Sequence, residues 1–109
     1  MKVLFVCSRN KWRSRTAEEI FKNENNLMVR SAGTEPSARI KVSQKHLLWA
    51  DLIFVMEKKH KQRLQTKFYE EISGKEVINL DILDDYKFMD EELVEILNDS
   101  VRYHLEKYL

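Results

Sequence analysis

Cys7 is the only cysteine of the chain, and it opens the segment Cys7-Ser8-Arg9-Asn10-Lys11-Trp12-Arg13-Ser14. The five residues between Cys7 and Arg13 are enough for the backbone to wrap a tetrahedral anion. In such a loop successive amide N–H groups converge on the anion's oxygens, and the positive end of a following helix adds to them. The same field favours a thiolate, which is the nucleophilic form of cysteine. Arg13 carries a planar fork that can grip two oxygens and follow them as a transferring group flattens, binding the transition state better than the ground state. Ser14 can donate its hydroxyl to the sulfur. Asn10 suits a left-handed turn and can bridge backbone groups with its amide. Ser8, Arg9, Lys11 and Trp12 complete the candidate phosphate loop, with Trp12 as an apolar wall.

A thiolate that displaces an oxygen from phosphorus needs an acid to protonate the leaving group. Asp84-Asp85-Tyr86 stands in the last irregular stretch before the final helix, where it can overhang the loop. The same carboxyl would then act as base for the water that hydrolyses a phosphocysteine. His46, His60 and His104 are scattered without metal-ligand spacing, so no metal and no other cofactor is expected. Ser31-Ala32-Gly33-Thr34 reads as a strand end with a turn and has no Walker lysine.

These residues need a scaffold that presents them together. Val3 to Val6 is a continuous apolar run, the mark of a strand buried on both faces. Ser14 to Asn23 reads as a helix with Ala17, Ile20 and Phe21 on one side. Leu27–Ala32, Leu52–Met56 and the group Val77, Ile78 and Leu80 supply three more strands. Ser43 is a candidate N-cap for a short helix containing His46 to Trp49, and Lys58 to Phe68 reads as another helix. Leu93, Val94, Leu97, Val101, Leu105 and Tyr108 recur at helical spacing behind Asp90 as N-cap. Strands alternating with helices predict a small doubly wound, Rossmann-like α/β fold: four parallel strands with helices on both faces. Ligands of such sheets bind beyond the carboxyl ends of the strands, which is where Cys7 falls.

The length of 109 residues predicts a single domain, 1–109, and a hydrophobic share of 43% suits a globular chain. One cysteine excludes an internal disulfide, and no apolar run is long enough for a membrane span, so a cytoplasmic protein without a membrane partner is expected. Net charge is only +1, yet Lys and Arg dominate residues 1–67 and Asp and Glu dominate the remainder. That asymmetry favours an anionic ligand near the first part. Nucleic acid fits poorly, because aromatic and basic residues are not interleaved as on a stacking surface.

The chain resembles the low-molecular-weight protein tyrosine phosphatase family in a short prokaryotic form. The resemblance rests on Val3-Leu4-Phe5-Val6-Cys7, then Asn10, Arg13, Ser14, Ala17 and Glu18, then Ser31 to Thr34, Ala50 to Ile53 with Val55-Met56, and Asp84 with Tyr86. It implies metal-independent hydrolysis of a phosphorylated protein or small phosphomonoester, commonly phosphotyrosine. Cys7 would be the nucleophile, Arg13 the phosphate-binding arginine, Asn10 the loop stabiliser and Ser14 the thiolate's hydroxyl partner. Asp84 would be the acid and Tyr86 a cleft wall, with Asp85 an alternative acid because it replaces the family's frequent proline. Arg9 stands where the family usually has glycine, Trp12 where a second cysteine is frequent, and Arg15 where proline is usual. Without a second cysteine, an oxidised Cys7 lacks the family's protecting disulfide, and the related arsenate reductases need cysteines this chain does not have. The competing expectation is a module that binds a phosphoprotein, nucleotide or RNA end through Arg13 with little or no turnover.

Overall fold

The computed structural model describes residues 1–108. Its four strands are β1 (Lys2–Cys7), β2 (Met28–Gly33), β3 (Leu52–Val55) and β4 (Glu76–Asn79). They form one parallel sheet in the order β2-β1-β3-β4. Five helices connect and follow them: α1 (Arg13–Phe21), α2 (Gln44–Trp49), α3 (Lys58–Lys67), α4 (Tyr69–Ile72) and α5 (Glu91–Leu105). The four-stranded parallel sheet expected from the alternation of patterns is therefore present.

Burial on both faces explains why β1 and β3 lack polar alternation. Successive side chains of a strand point to opposite faces, and the core divides accordingly. Val3, Phe5 and Cys7 join Leu52, Phe54 and Met56 in a cluster with Ala17 and Phe21 of α1 and Leu93, Leu97, Val101 and Leu105 of α5. Leu4 and Val6 join Ile53 and Val55 in the opposite cluster with Leu47, Leu64 and Ile72 of α2, α3 and α4. Phe5 stacks on Phe21 and Phe54, with ring centroids 6.0 and 5.5 Å apart.

The capping expectations hold at both helices. Ser43 caps α2, and the Asp90 side chain accepts from the amides of Glu92 and Leu93 at the start of α5. The helix expected to run through Phe68 stops at Lys67, because Phe68 leaves helical geometry at φ −129° and turns its ring onto the second cluster. One further helical turn, α4, follows it. The final helix ends at Leu105, so Tyr108 lies in the turn beyond. Among the described residues no helix is long and apolar enough to cross a membrane.

Chain order places β2 on one side of β1 and β3 on the other. The crevice opened at such a reversal is the usual ligand position of an open α/β sheet. The segments leaving the carboxyl ends of all four strands meet there: residues 8–13 after β1, Glu35 after β2, Lys59 after β3 and Asp84 after β4.

Candidate active site

The cavity at this crevice measures about 420 Å³ and is lined by Cys7, Ser8, Arg9, Lys11, Trp12, Arg13, Glu35, Lys59 and Asp84. Cys7, the last residue of β1, is buried at its floor. Its Sγ lies 2.9 Å from Ser14 Oγ, which also accepts from Asn10 Nδ2 at 2.8 Å. Because Asn10 already donates to that oxygen, the Ser14 hydroxyl proton has two acceptors, Ala32 O at 3.4 Å and the closer sulfur, where it can stabilise a thiolate. Asn10 holds the left-handed φ of 58° expected of it, and no other residue from 8 to 13 has a positive φ. The loop thus makes its one left-handed step at asparagine, and Arg9 beside it needs no left-handed angle.

The direction of the loop's amides follows from its carbonyls. The oxygens of Cys7, Ser8 and Arg9 accept from the amides of Thr34, Glu35 and Arg39, each at 2.9 Å, and Asn10 O accepts from Arg39 Nε at 3.1 Å. In a trans peptide the N–H points opposite to the C=O of the same unit, and among the described residues no peptide bond is cis. The N–H groups of Ser8, Arg9, Asn10 and Lys11 therefore point away from residues 34–39. Among the described residues they have no acceptor within the protein. Unpaired backbone donors beside a cavity call for an acceptor, and an oxyanion supplies several.

Gly33 is needed for this seam. A Cβ there would stand 2.5 Å from Ser8 O and 2.7 Å from Ala38 Cβ, closer than atoms in contact can approach. The stretch Ser31 to Thr34, read from sequence as a strand end with a turn, is thus also the support against which the loop is fastened.

Arg13 starts α1 and is 1% exposed, the largest of the fully buried side chains. Its Nη1 donates to Glu57 Oε2 at 2.6 Å and to Ile82 O at 2.7 Å. That uses both Nη1 hydrogens and leaves the Nε and Nη2 edge, the side that binds an oxyanion in bidentate fashion. Asp84 Oδ1 stands 3.5 Å from Nε, so Asp84 sits beside the arginine that would hold the transferring group.

Sequence reasoning missed Glu57, His60, Glu35 and Lys59. Burial pushes the Glu57 carboxyl up, but the hydrogen bond and charge of Arg13, helped by Lys59 and His60, outweigh it and hold the group below its ordinary range. His60 is fully buried and bonded to Ser8, with Nε2 2.9 Å from Ser8 Oγ. Both residues lie just past β3, and the only signal for them was that a carboxylate and a histidine follow an inner strand at the ligand end of the sheet.

The remaining sequence candidates are distributed unevenly. Ser8, Arg9, Lys11 and Trp12 line the cavity as expected of the loop. Asp85 is exposed and lies outside the cavity lining. Tyr86, expected as a cleft wall, is outside the cavity lining and half-buried against the apolar cluster that includes Cys7, Phe5, Phe54 and Ile82. Among the described residues no three metal-ligating side chains cluster.

Neither a protein-family model nor a curated protein matches the chain. Solved structures do. An arginine phosphatase, YwlE, in a variant with a phosphorylated active-site serine, is 25% identical, with a TM-score of 0.75 over 98% of this chain and 97% of its own. The YwlE arginine phosphatase of Geobacillus stearothermophilus is 20% identical, with a TM-score of 0.76 over 98% and 94%. SP-PTP, a low-molecular-weight protein tyrosine phosphatase from Streptococcus pyogenes, is 16% identical, with a TM-score of 0.79 over 99% and 93%. The expected doubly wound fold and the expected family resemblance are both borne out by these likenesses.

Proposed function

We propose that this chain, which has the fold of the low-molecular-weight protein tyrosine phosphatase family and a cysteine at the head of its loop, is a cysteine-dependent phosphatase of phosphorylated protein side chains. One observation carries the reading: the sulfur of Cys7, the free edge of Arg13 and unpaired loop amides border a single cavity. The Cys7 thiolate attacks phosphorus, and an S–P bond forms as the P–O bond to the leaving group breaks. Asp84, protonated, gives its proton to the departing oxygen. Asp84, now a carboxylate, takes a proton from water, whose oxygen attacks the phosphocysteine and releases inorganic phosphate with the thiolate restored. Arg13 and the loop amides hold the three equatorial oxygens throughout.

Phosphotyrosine is the substrate we favour, because the exposed ring of Trp12 at the cavity offers a face on which an aromatic leaving group can lie. Phosphoarginine is the second reading. It is favoured by the arginine phosphatases among the structural relatives and by the Glu35 and Asp84 carboxylates lining the cavity, which can accept from a guanidinium.

Rapid-quench trapping with labelled phosphotyrosine and phosphoarginine peptides tests both. A covalent phosphocysteine that is absent in Cys7→Ala supports the mechanism, and the faster peptide identifies the substrate. Loss of turnover in Asp84→Ala but not in Asp85→Ala supports the acid assignment, and the reverse pattern transfers the role to Asp85. Phosphate binding without turnover of either peptide would leave a binding module.

A further inference from the structure

His60 is the only fully buried histidine among the described residues, and the chemistry above makes no use of it. It is the third residue of α3. Its Nδ1 accepts the backbone N–H of Glu57 at 3.0 Å. A ring nitrogen that accepts a hydrogen bond carries no proton, so the neutral ring has its hydrogen on Nε2. Nε2 lies 2.9 Å from Ser8 Oγ and therefore donates to that oxygen. The Ser8 hydroxyl keeps its own proton, which has no acceptor among the described residues, while Ser8 lines the cavity beside Cys7 and Arg13.

We infer that His60 is a positioning residue that turns the Ser8 hydroxyl into a hydrogen-bond donor to the bound oxyanion. The inference rests on the reading of the cavity as a phosphate site. It makes the tautomer of one buried imidazole part of the loop's anion recognition. Were Nδ1 to carry the proton instead, it would oppose the Glu57 N–H, and Nε2 would take the Ser8 proton for itself. The surroundings keep the ring neutral. Burial, and then the charge of Arg13, push its pKa down to about 4 against the pull of Glu57, with Lys59 and Arg63 acting in the same direction as Arg13. These are the charged groups that face the ring: Glu57, Lys59 and Arg63 from its own helix and its cap, and Arg13 from α1. The donor is therefore in place throughout the neutral range.

Two substitutions separate the roles of the ring. The amide of His60→Gln reaches the position of Nε2 and can donate to Ser8. That of His60→Asn reaches only the position of Nδ1 and can accept from Glu57. Inorganic phosphate is the probe, and its dissociation constant is read by calorimetry alongside the melting temperature of each variant. Ser8→Ala and His60→Asn should each weaken phosphate binding by about tenfold, the order of one hydrogen bond to a charged group. The double variant should bind no more weakly than either one, and His60→Gln should bind close to the parent.

Additive losses in the double variant, or equal weakness of His60→Gln and His60→Asn, would overturn the inference while leaving the phosphate site intact. A parent chain that binds no phosphate overturns both. Nitrogen-15 spectra of the unsubstituted chain decide the tautomer without relying on any variant to fold. A proton on Nε2 at neutral pH is the expected result, and a proton on Nδ1 refutes the inference.

Discussion

Glu57→Gln tests whether Arg13 is aimed by its buried partner. The guanidinium is 1% exposed and the Glu57 side chain 24%, with 2.6 Å between Nη1 and Oε2. Removing one member of a fully buried ion pair costs about 3–5 kcal/mol, because a charge is left uncompensated. Here the penalty is smaller. Glu57 keeps some contact with water, Ile82 O still accepts from Nη1, and Asp84 Oδ1 remains 3.5 Å from Nε. A loss of roughly 1–3 kcal/mol is expected, which for a chain of this size lowers the melting temperature by about 5–20 °C. Saturating inorganic phosphate should recover more of that loss in Glu57→Gln than it adds to the parent, since the anion supplies the missing negative charge. Turnover of p-nitrophenyl phosphate should fall by about tenfold in kcat/KM, the effect of a loosened transition-state contact. Thermal melts followed by circular dichroism, with and without phosphate, make the measurement alongside the kinetic assay. Unchanged melting in the absence of phosphate, together with unchanged kcat/KM, would refute the reasoning.

Three further expectations follow from the same contacts. Gly33→Ala should lower both melting temperature and turnover, with about 1–3 kcal/mol lost to overpacking, because its methyl would meet Ser8 O at 2.5 Å; a variant with normal activity would show that the loop tolerates displacement. Stability should decline as pH falls from about 6.5 to about 4, since the unfolded chain protonates His60 in that window and the folded chain does not; the window is worth at most about 3–4 kcal/mol, and His60→Gln should flatten this limb of a pH series of denaturant melts. Peroxide should drive Cys7 past the sulfenic state, because the chain has no second cysteine to capture it; mass spectrometry that found full recovery by thiol reductant would contradict this.

The scaffold was legible where one physical signal decided the matter. Two continuous apolar runs, Val3–Val6 and Leu52–Met56, identified the inner strands because only burial on both faces removes polar alternation. Asp90 and Ser43 were readable as caps because their side chains act on amides two or three residues away. The grouping of Cys7, Asn10, Arg13 and Ser14 was likewise readable, since one short loop carries all four. Glu57 and His60 were not. Each acts on a residue more than forty positions earlier in the chain, and neither has a local pattern that separates it from an ordinary helix start. Tyr86 shows the limit of that reading: its place beside Asp84 suggested the cleft, and its half-buried packing against the apolar cluster that includes Cys7 and Ile82 could not be read from sequence. The break at Phe68 was hidden for a related reason: no glycine or proline marks it, and tertiary packing of the ring sets the backbone.

The division of labour within Arg13 shows what an arginine would supply at this position in the proposed phosphatase. A buried cation must be paired in the resting protein, yet a cation fully occupied by its own protein has nothing left for a ligand. The guanidinium resolves this through its shape. One terminal nitrogen gives both hydrogens to Glu57 and Ile82, which fixes the plane of the fork, and the opposite edge keeps three hydrogens in that same plane. A lysine ammonium at the same site would be held by Glu57 as a single point and could not present two parallel donors. On the proposed reading, the residue that anchors the arginine also sets the plane in which phosphoryl oxygens would be received. On that reading Glu57, though absent from the cavity lining, would belong to the machinery of the site.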